Sequence, residues 1–165
     1  MQKCIGFRYC SLVFLPFLKL RILRCNYLMG SPTTSLADEV MGRGALAGVV
    51  AACDRRTQQS QIQNLLEVLG AYRYPESVRV LLLYVAYQVG RGQIERNTGK
   101  RIVSDILYIV SNGGSGVDEL LRRYFGALKW SYTAITRGRF YGVCRVASRL
   151  RPSVEEIVKA ILGIQ

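Results

Sequence analysis

Ile62, Leu65, Leu66 and Leu69 stand at i, i+3, i+4 and i+7, and Val78, Leu81, Leu82, Val85, Ala86 and Val89 carry the spacing on. An apolar set with that period covers one face of an α-helix, whereas a half-buried strand alternates at every second residue. The period returns in Ile102, Val103, Ile106, Leu107 and Val110, and again in Leu120, Leu121, Tyr124, Phe125, Leu128, Tyr132 and Ile135. Val154, Ile157, Val158, Ile161 and Leu162 repeat it near the end. Clean period-2 alternation between turn signals occurs nowhere. The chain is therefore expected to be all-α, a compact bundle of five to seven short helices.

Boundary residues agree with this. Thr33, Thr34 and Ser35 are good N-caps, and Asp38 and Glu39 follow in the first turn, where the helix dipole favours acids. The helix they open runs to about Cys53 and is rich in small residues, among them Gly42, Gly44, Ala45, Ala47, Gly48, Ala51 and Ala52. It is either marginal or closely packed on a neighbour. Gly70 ends the next helix, and Pro75 suits the first position of the one after. Val80, Leu83 and Tyr87 give that helix a second apolar face, so it is the expected central element. Gly90, Gly92, Asn97 and Gly99 mark a loop, Ser115 with Asp118 a cap-like start, and Arg137-Gly138 a break. Phe140, Val143, Ala147 and Leu150 belong to a further segment, and Ser153 with Glu156 matches a capping box.

At roughly 150 residues per domain, 165 residues allow one domain. Residues 1–28 stand apart, with five basic residues, no acidic one and a greasy centre from Tyr9 to Leu18. That run is shorter than the ~20 apolar residues a membrane span needs. The bulky and basic stretch Leu20 to Arg24 occupies the place where a signal peptide keeps small residues. Composition shifts abruptly at Met29-Gly30-Ser31-Pro32. The expectation is that translation begins at Met29, that residues 1–28 are not part of the fold, and that 29–165 is a single helical domain. A membrane-surface anchor is the alternative for the first stretch.

The chain contains no histidine, which removes the commonest general base and the commonest metal ligand. Outside the first stretch only Cys53 and Cys144 remain, without a C-x-x-C, and they read as two small buried hydrophobes in a reducing compartment. A cytoplasmic location follows as the default. Most acids stand at helix starts, where dipole compensation explains them. Gly92 to Lys100 ends like a phosphate loop, but six residues separate Gly92 from Gly99 where four are needed, and Arg101 replaces the metal-binding Ser or Thr. Gly42, Gly44 and Gly48 follow no strand and form no dinucleotide fingerprint. No catalytic residue, metal ligand or cofactor is expected.

Charge is the informative pattern. The 23 basic residues exceed the 11 acidic ones, for a net +12. No acid occurs between Glu119 and Glu155, while Arg122, Arg123, Lys129, Arg137, Arg139, Arg145, Arg149 and Arg151 do. Arg91, Arg96, Lys100 and Arg101 form a second cluster, with Arg79 one helix-length earlier. Guanidinium groups match phosphate oxygens and stack on bases, so the pattern suits a nucleic acid or another polyanion. Solvated helix faces are the plainer reading, though a merely soluble surface mixes its signs. Tyr124, Phe125, Leu128 and Tyr132 share one core stripe; Trp130 and Tyr141 are the better candidates for stacking.

Three runs then suggest a family: Ser60-Gln61-Ile62 with Leu65 and Leu66, the run from Leu83 through Tyr84-Val85-Ala86-Tyr87 to Gly90-Arg91, and Leu121-Arg122-Arg123-Tyr124-Phe125-Gly126-Ala127-Leu128. Together they resemble the small α-helical subunit of type III CRISPR effector complexes, in its Csm-type form, over residues 57–135. The resemblance implies a non-catalytic bundle whose copies line a filament beside other effector subunits. It also implies that the bundle holds guide RNA and target single-stranded RNA by the backbone, and neither spans nor binds a membrane. The Gly-Arg position carries over to Arg91, and the basic pair of the aromatic helix to Arg122 and Arg123. Gln63 departs from the family, which usually has a basic residue there. Small subunits of the Cmr type and of archaeal type I complexes share this architecture.

With both lines combined, the RNA-contacting residues are expected to be Arg79, Arg91, Arg96, Lys100, Arg101, Arg122, Arg123, Lys129, Arg137 and Arg139. Two other classes remain open. A helix-turn-helix regulator of DNA would be equally small, helical and basic, but no compact pair of helices with a three- or four-residue turn is legible. A helical adaptor would use the same surface for acidic partners.

Overall fold

The computed structural model describes residues 35–164. The expectations about residues 1–28 and a start at Met29 lie outside the described residues. Six α-helices follow one another: α1 (Leu36–Asp54), α2 (Gln59–Ala71), α3 (Glu76–Gly90), α4 (Arg96–Asn112), α5 (Val117–Gly138) and α6 (Val154–Leu162). Short 3₁₀ turns at Gly114–Gly116, Tyr141–Arg145 and Ala147–Arg149 complete the chain, and no strand occurs among the described residues. The all-α bundle is as expected.

Its centre is not. α1 buries ten of its 19 residues, whereas α3 buries five of 15 and leaves Leu83 72% and Tyr87 58% exposed. The small residues of α1 explain why it takes the middle. A Cβ at Gly44 would overlap the Tyr124 carbonyl, one at Gly48 the Leu128 carbonyl and Ser131 Oγ, and one at Gly42 the Pro152 carbonyl. The backbones of α1 and α5 therefore approach closely, and the Ser131 hydroxyl donates across the seam to the Ala45 carbonyl (2.8 Å). Leu121, Tyr124, Phe125, Leu128 and Ile135 of α5 are fully buried, as are Ala47, Val49 and Ala51 of α1. Counting large apolar side chains misplaced the core, because close approach is bought with glycine and alanine.

Caps and turns then lock the outer helices. Ser35 caps α1 as expected, its hydroxyl accepting from the Asp38 N–H (3.2 Å). Asp54 closes the other end. Its carboxylate accepts from the N–H groups of Arg56 and Thr57 (both 2.9 Å) and from the hydroxyls of Thr57 and Thr98 (2.8 and 2.5 Å). The expected loop over 90–99 is shorter, because Glu95 caps α4 by accepting from the Asn97 and Thr98 N–H groups. Asn97 and Gly99 are thus helical, and Gly99 packs on the Val89 side chain. Asp118 does not form a cap with Ser115. It accepts instead from the Tyr74 N–H (3.1 Å) and the Ser77 hydroxyl (3.3 Å), tying α5 to the turn before α3. Ser153 caps α6, but Glu156 accepts from the Arg151 N–H rather than completing a box.

The cysteines correct another expectation. Cys53, in the last turn of α1, and Cys144, in the 3₁₀ turn after α5, form a disulfide across a Cα–Cα distance of 5.5 Å. They are 91 residues apart, so only the fold brings them within bonding reach. They are not two independent buried hydrophobes.

Candidate nucleic-acid interface

Arg122, Lys129, Thr133 and Arg137 fall within about 80° of one another around α5, a stripe roughly 22 Å long. The core residues of α5 occupy the opposite face, so the stripe points outward beside α2. Gln59, Ser60 and Gln63 of α2 and Lys129, Thr133 and Arg137 of α5 wall a polar groove of about 550 Å³. The Thr133 hydroxyl has no hydrogen-bond partner among the described residues.

Gly126 lies within the same sector. A Cβ there would meet no atom within 4 Å, so packing does not require glycine. A glycine inside a helix costs about 1 kcal/mol relative to alanine. Gly126 stands in the middle of the basic stripe.

The remaining expected residues divide. Arg79, Arg91 and Arg122 are exposed, and Arg91 lies over the Tyr87 ring, 5.4 Å from its centroid. Arg96 and Lys100 border a separate apolar depression between α3 and α4. Arg123 is exposed but paired with Glu119 at 2.9 Å. Arg139 is exposed as the left-handed C-cap of α5 (φ 58°), where the negative end of the helix dipole accounts for a cation. Arg101 is turned inward: its Nε is buried, 3.9 Å from Asp105 Oδ2. The groove therefore unites Lys129 and Arg137, with Arg122 on the same stripe, and does not include the cluster around Arg91.

Asp105 is the acid that inspection of helix starts overlooks. It is 3% exposed in the middle of α4 and accepts from the Tyr124 hydroxyl (3.1 Å) and from Arg43 (3.3 Å). Burial raises its carboxyl above the ordinary carboxylate range, against the opposing pull of Arg101, Tyr124 and Arg43. Arg43 also binds Glu39 (2.9 Å), which lowers the Glu39 carboxyl, and it stacks over Tyr108 at 3.8 Å. This network joins α1, α4 and α5 and is structural.

The two stacking candidates sit differently. Trp130 is 70% exposed at the rim of an apolar groove of about 300 Å³ that Met41, Ala127, Ala134, Val154 and Val158 also line. Tyr141 lies near Arg55, whose guanidinium is 5.7 Å from the ring centroid. Sequence reading missed Gly126, Thr133 and the α2 wall, although the i, i+4, i+8 spacing of 129, 133 and 137 is visible in the sequence.

Among the described residues no His, Cys, Asp and Glu group is placed to hold a metal ion, and no helix is long and apolar enough to cross a membrane. No family model, curated protein or solved structure matches the chain.

Proposed function

We propose that this chain is a non-catalytic, RNA-binding small subunit of a type III CRISPR effector complex, packing as repeated copies in a filament. Its α5 stripe contacts the backbone of guide or target RNA. The observation that carries this reading is the groove that Lys129 and Arg137 share with α2, with Arg122 and the unbacked Gly126 continuing the same helix stripe beyond it. Cations spaced over about 22 Å of helix can meet several successive phosphates. The α2 wall offers amide and hydroxyl groups that bond phosphate or ribose without reading sequence. Gln63, the departure from the family, belongs to that wall as a neutral donor.

The non-catalytic reading rests on how the acids are used. Asp54, Glu95, Asp118 and Glu156 each accept from backbone N–H groups, Asp38 accepts from the Ser35 hydroxyl, and Asp105 is buried among partners. A cytoplasmic location fits a Cys53–Cys144 bond in organisms whose interior retains disulfides, as in hyperthermophiles.

One observation favours the regulator reading. Residues 55–58 and 72–75 are four-residue connections between helices, a length not legible in the sequence, and α2 carries a polar outer face. Purifying the chain from its own cells, with mass spectrometry and RNA sequencing of what accompanies it, separates the two. Effector subunits and guide RNA support the proposal; genomic DNA with one palindromic site overturns it.

A further inference from the structure

The Cys53–Cys144 bond ties the end of α1 to the middle of a segment that is otherwise anchored chiefly at its ends, by the α5 C-cap at Arg139 and by Pro152 against Gly42. Between Arg139 and Ser153 only Val143 is fully buried, with Ala147 and Leu150 half-buried. The backbone hydrogen bonds of that stretch stay within its own 3₁₀ turns, such as Val146 N–H to the Val143 carbonyl and Arg149 N–H to the Val146 carbonyl, or run back to Ile135. None joins it to α1 among the described residues. The α1–α5 seam, by contrast, joins two long helices whose facing residues are buried and whose backbones meet at Gly44 and Gly48.

The bond is also reachable. Both cysteines are half-buried and line an open cavity of about 560 Å³ together with Asp54, Glu95, Asn97, Arg101 and Ser148. Asp54 and Glu95 of the same wall are held by the N–H and O–H donors that cap α1 and α4, which leaves the cavity open beside the two sulfurs.

We propose that Cys53–Cys144 is a reversible fastener, opened by thiol–disulfide exchange with a low-molecular-weight thiol, whose state decides whether the basic segment 139–153 stays pinned to the bundle. The thiolate attacks one sulfur of the pair, the S–S bond breaks, and its electron pair leaves on the other cysteine, which takes a proton from water. A second small thiolate attacks the mixed disulfide and releases the small disulfide with the second protein thiolate, which is protonated in turn. The protein gains two electrons and two protons, and the small thiols lose them. Between the α5 cap at Arg139 and the Arg151–Glu156 contact the segment carries Arg145 and Arg149, so opening the bond frees two cations from a fixed position.

The test uses the full-length chain with glutathione as the thiol. Peptide-resolved alkylation distinguishes Cys53 and Cys144 from Cys4, Cys10 and Cys25, and hydrogen exchange reports each segment. Without denaturant, glutathione should expose both thiols and abolish exchange protection over 140–150, while residues 44–49 and 120–132 keep theirs. Oxidised glutathione should restore the first pattern. The Cys53→Ser/Cys144→Ser variant should show the open pattern and no response to glutathione. Alkylation of the two cysteines only in step with global unfolding overturns the proposal, as does unchanged exchange over 140–150 once the bond is open.

Discussion

The same substitution should have opposite effects at two glycines. At Gly48 an added methyl would overlap the Leu128 carbonyl and Ser131 Oγ, and a backbone carbonyl cannot rotate away. Overpacking of this kind costs up to about 3 kcal/mol. Moving the helices apart also weakens the Ser131–Ala45 hydrogen bond, worth about 1 kcal/mol. Alanine returns about 1 kcal/mol through helix propensity. Gly48→Ala should therefore destabilise the protein by about 2–3 kcal/mol, lowering Tm by roughly 7–11 °C for a domain of about 130 residues. At Gly126 nothing opposes the methyl, so Gly126→Ala should stabilise by about 0.5–1 kcal/mol. Urea titration of each variant at constant m-value reads both signs. A neutral or stabilised Gly48→Ala protein would refute the close α1–α5 seam and with it the centre of the fold.

Two further outcomes follow from packing and burial. Leu81 of α3 is fully buried and Leu83 is not, so Leu81→Ala should cost about 2–5 kcal/mol and Leu83→Ala less than about 0.5 kcal/mol in the same denaturant assay. The Asp105 carboxyl is raised by burial, so its contribution is fully present below about pH 3.9 and lost as pH rises through its folded value. The stability of wild type relative to Asp105→Asn should accordingly fall across that interval; a flat or rising difference contradicts the assignment. Glu39 runs the other way, losing its contribution as pH falls through its lowered value, and it is present in both proteins.

Much of the fold is legible in the sequence because helix stripes and caps are local. Ser35, the α4 stripe with Ile102 and Ile106, and the α5 stripe from Leu120 to Ile135 lie where periodicity places them. What periodicity cannot show is which stripe faces the middle. α3 carries more large apolar residues than α1, yet three glycines let α1 nest against α5 and the Pro152 carbonyl. Tertiary pairing hides the rest. Asp105 reads as one more surface acid until Tyr124 and Arg43 surround it, and Cys53 and Cys144 read as unrelated until the chain returns after α5. For the candidate interface, charge counting picks Lys129 and Arg137 but ranks them with Arg101, which the fold turns toward Asp105.

The central claim is that the α5 stripe holds RNA by its phosphates, and salt dependence tests it most directly. Log binding constant against log salt should be measured for single-stranded RNA with the wild type and with Arg122→Ala/Lys129→Ala/Arg137→Ala, alone and in assembled complex. Each phosphate contact contributes about 0.7 to the slope on single strands, so removing three should lower it by about 2. Affinity should fall alike for unrelated sequences, since phosphate contacts carry no base information. Arg123→Ala, whose guanidinium is already paired with Glu119, should change the slope less than Arg122→Ala. A folded triple variant that binds RNA with the wild-type slope and affinity would contradict the account.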